Sequence, residues 1–337
     1  MSESPGGPEP GMGSPAPAFI SLGMVVIDEL RFPDGRVLRD VPGGSGFYGE
    51  WKLWQPDFEP HLLQQIAGWG VTVHYDETPD RLSTRGLLEY ENDAFGTRLP
   101  EPLLRSSVIH TLATPEDLER HVETLTNLRG QMENPSSLIA WEPSPLNVHN
   151  RKAEHLRALH LSDICSPNDH ELLRMKGIDE IPGVPYNRTL IERHAINLSG
   201  GIKASGHSAL LEEVRNRPRV TVIRCGEQGC LTIPRGGNPI WLPPFYDHDS
   251  SKVQDPTGAG NAFLGAFAVA FARTDDAVLA SAYGSVAAGF VIEQIGPPRR
   301  EVIDGRECWN GEAFEDRLRT YLDKVATWST DGVLQSK

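Results

Sequence analysis

Apolar residues first gather at positions 19–27, where Phe19, Ile20, Leu22, Met24, Val25, Val26 and Ile27 are interrupted only by Ser21 and Gly23. A short apolar run of this kind reads as a buried first strand, with Asp28 at its end. The pattern then changes. Leu30 and Phe32 precede Pro33-Asp34-Gly35, and Val37 and Leu38 follow, which predicts a hairpin near residues 29–41. A second hairpin is predicted near residues 86–100, with Asn92, Asp93 and Gly96 about its turn. Between the two, the Gly- and aromatic-rich residues 43–54 are expected to open a helix.

From residue 107 onward, strand and helix patterns alternate. Strands are predicted at residues 107–111, 137–141, 162–165, 220–225 and 231–233. Helices are predicted over residues 115–128, 153–159, 205–215, 262–272, 277–292 and 314–328, and from about residue 169. Thr114 is placed to cap the first of these, with Pro115 at its first position and Asp117 where a capping box carries Glu or Gln. Such alternation predicts a parallel sheet covered on both faces. No internal repeat or linker divides the chain, so residues 18–330 read as one domain with a small β lid. Residues 1–17 are mostly Gly, Pro, Ser and Glu, a composition that predicts disorder.

Composition changes this picture only by exclusion. Of 337 residues, 39% are hydrophobic and 23% charged, as in an ordinary globular protein. The formal net charge is −14, spread without blocks, which argues against nucleic acid or an anionic membrane as partner. Cys165, Cys225, Cys230 and Cys308 are too few for a disulfide scaffold and read as reduced thiols. No signal-peptide pattern or membrane-length apolar stretch is visible, so a cytoplasmic protein is expected.

The strongest chemical signal lies at residues 255–263. Gly258, Ala259 and Gly260 let the backbone turn tightly and approach a ligand closely. A small, apolar helix follows, and its first N–H groups lack intrahelical acceptors. Those donors and the helix dipole favour a phosphate or another oxyanion.

These residues resemble the C-terminal signature of the PfkB or ribokinase family, Asp-Thr-x-Gly-Ala-Gly-Asp. Asp255, Thr257, Gly258, Ala259 and Gly260 match it, with Pro256 in the second place. Other pieces follow in the family's order. Asp28 is similar to its substrate-contacting acid, and Gly43 and Gly44 to its N-terminal Gly-Gly motif. Asn168 and Glu171 match its Asn-x-x-Glu motif, and Gly226 and Gly229 its Gly-x-x-Gly turn beside the nucleotide. The resemblance implies a ribokinase-like three-layer α/β/α sandwich with a mostly parallel sheet and a β lid. It implies ATP and magnesium as cofactors, a small hydroxylated metabolite as substrate, and a homodimer paired through the lid. In that scheme Glu171 serves the metal, Asn168 fixes its surroundings, and Gly258, Ala259 and Gly260 form the anion hole.

The sequence departs from the family where chemistry is most sensitive. The general base of the signature is its last Asp, and Asn261 stands there. An amide does not accept a proton at neutral pH, and general-base catalysis contributes roughly 10²–10⁴ in rate. Tyr48 stands where the Gly-Gly motif normally continues to Asn, and residues 67–73 lack an expected acid. The Pro256 and Asn261 variants resemble a fungal branch of the family. Three readings follow: a divergent kinase with its base rerouted, for which Asp28 is a candidate; a nucleotide-binding pseudokinase acting through a partner; or a non-kinase enzyme of isomerase or cyclase type. The third is motivated by the aromatic residues Phe47, Tyr48, Trp51, Trp54 and Trp69.

Overall fold

The computed structural model describes residues 19–21, 26–31, 37–43, 101–130, 137–144, 152–178, 185–200, 218–247 and 250–334. The chain enters through β1 (Phe19–Ser21) and then forms a separate antiparallel pair, β2 (Val26–Arg31) and β3 (Val37–Gly43). The single first strand expected over residues 19–27 is therefore two strands in two sheets. Asp28 lies inside β2 opposite Val41, next to a register shift, and not at the end of β1. A continuous apolar run does not mark where a chain leaves one sheet for another.

The main sheet has seven strands. β1, β4 (Val108–Ala113), β5 (Leu138–Pro143), β6 (Ile164–Cys165) and β7 (Val220–Arg224) are parallel neighbours in that order. β8 (Cys230–Pro234) and β9 (Ile240–Leu242) extend it antiparallel. Helices cover both faces: α1 (Glu101–Leu104), α2 (Pro115–Arg129), α3 (Lys152–Ala158), α4 (Asp169–Met175) and α5 (Arg188–Ser199), then α6 (Ala259–Thr274), α7 (Ala277–Val291) and α8 (Phe314–Leu334).

The alternation along β7 shows how the layers form. Val220 and Val222 join Phe263, Phe267, Val286 and Phe290 in one core. Ile223 joins Leu118, Leu172, Ile191 and Leu198 in the other. Successive side chains of a strand point to opposite faces, so a strand apolar on both faces needs two helical layers. Each fully buried aromatic or aliphatic side chain contributes roughly 1.5–3 kcal/mol of apolar burial. The result is the expected three-layer α/β/α sandwich with a mostly parallel sheet. Capping follows the sequence as well: Thr114 Oγ1 accepts from the Asp117 N–H at 3.2 Å at the start of α2.

A third sheet was not expected from the sequence. β10 (Arg300–Ile303), β11 (Arg306–Trp309) and β12 (Glu312–Ala313) form an antiparallel meander. Its turns are Asp304-Gly305, with φ of 51° and 75°, and Asn310-Gly311, with φ of 52° and 84°. Both are two-residue turns of the kind that Asp-Gly and Asn-Gly favour, so the signal was present in the sequence.

Gly43, expected to open a helix, instead ends β3; the rest of that helix to residue 54, the hairpin near residues 86–100, the helix over residues 205–215, and the aromatic residues Phe47, Tyr48, Trp51, Trp54 and Trp69 lie outside the described residues. The four cysteines are free and buried. Burial pushes the Cys165 and Cys225 thiols well up and the Cys230 thiol up to about 12. Among the described residues, no helix is long and apolar enough to cross a membrane.

Candidate functional site

α6 begins at Ala259, three residues earlier than the apolar run suggested, because Ala259, Gly260 and Asn261 already belong to its first turn. Gly258 sits before it with φ of +82°, a left-handed backbone that favours glycine. Asp255 Oδ1 accepts from the Thr257 N–H at 2.9 Å and shapes the approach. The Ala259 N–H donates to the Pro256 carbonyl and the Ala262 N–H to that of Gly258. Between them, the N–H groups of Gly260 and Asn261 have no backbone acceptor among the described residues. Two donors thus open at the positive end of a sixteen-residue helix.

Asn168 and Glu171 form a reciprocal cap at the start of α4. Asn168 Oδ1 accepts from the Glu171 N–H, and Glu171 Oε2 accepts from the Asn168 N–H, each at 2.7 Å. Asn168 also pairs with Arg224 as a parallel bridge, and the Arg224 N–H donates to the Pro167 carbonyl at 3.2 Å. Two residues later comes the Gly226–Gln228 3-10 turn, closed where the Cys225 N–H donates to the Gly229 carbonyl at 2.8 Å. Gly229 has φ of +87°, and a Cβ there would lie 2.0 Å from the Leu242 carbonyl oxygen. The strand-end motifs are therefore neighbours through backbone pairing.

The side chain that joins them to the turn before α6 is Arg224, which the sequence reading did not single out. Its Nη2 donates to Glu142 Oε1 at 2.7 Å, to the Ser166 carbonyl at 2.9 Å and to Glu171 Oε2 at 3.5 Å. Its Nη1 lies against the first turn of α6: a Cβ on Gly260 would come within 2.6 Å of it. The row continues across the sheet. Glu142 Oε2 meets His110 Nε2 at 3.2 Å, and His110 Nδ1 meets Ser21 Oγ at 2.8 Å. An ionised carboxylate only accepts, so Nε2 carries a proton toward Glu142. Ser21, His110 and Glu142 are all buried.

Electrostatics divides the two acids. Burial alone would raise Glu142, but the Arg224 guanidinium and His110 overcome it and hold the carboxyl at about 2. Burial raises Glu171 above the usual carboxylate range, with Arg224 opposing and the Glu142 charge adding to it. The shorter contact explains which acid benefits more from the shared guanidinium. Between them, Arg224 is held protonated against the cost of its own burial.

No group of three or more His, Cys, Asp or Glu among the described residues is placed to hold a metal ion. Oε2 of Glu171 is occupied, whereas Oε1 has no hydrogen bond among the described residues. That donor set does not fit a resident metal. The open Oε1 of Glu171 suits an outer-shell contact rather than direct coordination.

The structure thus brings Asn168, Glu171, Gly226, Gly229, Asp255, Thr257, Gly258, Ala259, Gly260 and the half-buried Asn261 to one end of the main sheet. Asp28 and Gly43 lie in the β2–β3 pair, where Gly43 faces Val26. Gly44 and Tyr48 lie outside the described residues. A readable signal existed for the missed residues: Glu142 and Arg224 are charged residues near the C-terminal ends of otherwise apolar parallel strands, where α/β sheets bind ligands.

Comparison with known proteins adds three findings. Residues 100–299 match the profile described as pfkB family carbohydrate kinase. Protein MAK32 of Saccharomyces cerevisiae is 25% identical over 354 residues, covering 90% of this chain and 92% of that protein. Among solved structures, the fold is similar to ribokinase from Giardia lamblia, with TM-score 0.60 and 16% identity over 92% of this chain and 99% of that one. It is also similar to ribokinase from Cryptococcus neoformans var. grubii serotype A in complex with ADP, with TM-score 0.56 and 18% identity over 92% and 100%.

Proposed function

Because the chain belongs to the pfkB family of carbohydrate kinases, we propose that it binds an adenine nucleotide with its magnesium at the N-terminus of α6 and a small hydroxylated metabolite beside it. The reading rests on one observation: the first turn of α6, whose Gly260 and Asn261 N–H groups have no backbone acceptor among the described residues, lies against Arg224, which also contacts Glu171. Those donors would bind the terminal phosphate, and the Gly226–Gly229 turn would flank the nucleotide. Magnesium supplies charge neutralisation of the phosphates when it arrives with the nucleotide. Asp28, Gly43, Gly44 and Tyr48 belong to the metabolite side by the same reading.

Asn261 orients the acceptor hydroxyl but does not take its proton. Phosphoryl transfer is therefore weak or uses another base. This observation also favours a second reading, a nucleotide-binding protein whose output is a partner interaction. Calorimetry with ADP and ATP in magnesium, followed by phosphate transfer across sugars, nucleosides and polyols, separates the two. Binding by both nucleotides is expected, and Asn261→Asp is expected to raise transfer at least about tenfold. Failure to bind either nucleotide would sink both readings.

A further inference from the structure

We infer that Arg224 is a phosphate-positioning residue of this site, with Nη1 donating to the terminal phosphate of the bound nucleotide. The inference rests on the nucleotide reading above and deepens it. Three observations carry it. First, every hydrogen bond of the guanidinium to the described residues is made by Nη2; Nη1 and Nε make none. Second, Nη1 occupies the space a side chain on Gly260 would fill, beside the two open N–H groups of α6. Third, the hydroxyl of the fully buried Ser166, whose carbonyl accepts from Nη2, is a buried donor without a partner among the described residues. Buried donors left unpaired are costly, and an oxyanion or water brought to this corner would relieve that cost.

The two carboxylates set the geometry. Glu142 and Glu171 hold Nη2 from one side, which turns the other edge of the planar guanidinium toward α6. A rigid fork of this kind presents its remaining donors in a fixed direction. Gly260 then has a specific purpose: it leaves room for a cation to stand directly against the helix start.

Isothermal titration of the full chain with ADP in magnesium, and with adenosine, tests this. Arg224→Lys is expected to weaken ADP binding about tenfold or more while adenosine changes by less than about twofold. Where adenosine binds too weakly to measure, a retained melting temperature serves as the control. Gly260→Ala, whose methyl group would displace Nη1 without removing the charge between the carboxylates, is expected to give the same split. If Arg224→Lys does not fold, Arg224→Gln, which keeps a donor between the carboxylates but no cation against α6, decides the question by the same split. ADP binding at the wild-type level in the folded variants would overturn the inference, as would an equal loss for ADP and adenosine. A wild-type chain that binds neither ADP nor ATP would instead overturn the nucleotide reading itself.

Discussion

The turn at Gly226–Gly229 and the turn at Gly258–Gly260 stand on either side of Arg224, and each needs glycine twice. In each, one glycine is fixed by a left-handed backbone and another by lack of space. The difference lies in what fills the space. Behind Gly229 is the Leu242–Pro244 backbone, which cannot give way. Behind Gly260 is the end of one side chain. The first turn is locked by the fold, and the second is shaped by a group that chemistry can use. A glycine backed by backbone reports on architecture, whereas one backed by a charged side chain reports on a site.

Five substitutions would break or sharpen this contrast. The largest effect is expected at Gly229. Gly229→Ala combines a left-handed φ with a 2.0 Å clash and should cost about 3 kcal/mol or more, read from denaturant unfolding. A loss below about 1 kcal/mol would show that the β9 end moves freely and would erase the distinction.

Next comes the charge behind Gly260. Glu142 is depressed from an ordinary 4.5 to about 2, so its contribution is present above pH 4.5 and is lost as pH falls toward 2. That difference corresponds to at most about 3 kcal/mol. Glu171 is raised and has the opposite sign: its protonation on acidification relieves a buried charge. Below pH 4.5 stability should fall less steeply in Glu142→Gln than in the wild type, whereas Glu171→Gln should lose the gain that the wild type shows on acidification above pH 4.5. Parallel curves for the two variants would mean that Arg224 does not distinguish them.

The smallest effects separate the remaining glycines. Gly226 has φ of +50° and open space around it, so Gly226→Ala should cost only about 1 kcal/mol, the expense of a left-handed residue. The stability loss in Gly260→Ala should lie between those of Gly226→Ala and Gly229→Ala, about 1–2 kcal/mol, because displacing Nη1 tilts the planar guanidinium and strains the bonds of Nη2. A loss as large as that of Gly229→Ala, seen in the same unfolding assay, would make Gly260 architectural.

How legible the molecule is depends on how far apart its partners lie. The turn before α6 announces itself because its glycines, its Asp255 and its helix are contiguous. The members of the capping box, Asn168 and Glu171, are three positions apart and equally local. The polar row is not. Ser21 and His110 are 89 positions apart, and His110 and Glu142 are 32 apart. Each looks like an isolated polar residue in an apolar strand until β1, β4, β5 and β7 align. The helix start at Ala259 was placed late because Gly260 is a poor helix former, while tertiary packing against Arg224 requires its small size. The three-stranded meander was missed although Asp304-Gly305 and Asn310-Gly311 spell its turns, because its strands have only two to four residues and little apolar alternation.

The row itself has an arithmetic that shape does not reveal. Glu142 and Glu171 share one guanidinium, so with both acids ionised the two carboxylates outnumber the one cation between them. An anion seated on Nη1 widens that deficit. It can enter only with a companion, either a counter-ion travelling on the ligand or a proton taken up by Glu171, the acid already inclined to accept one. Selection at this corner therefore begins with electroneutrality: a guest must arrive with its own positive charge or be admitted at a pH that supplies it.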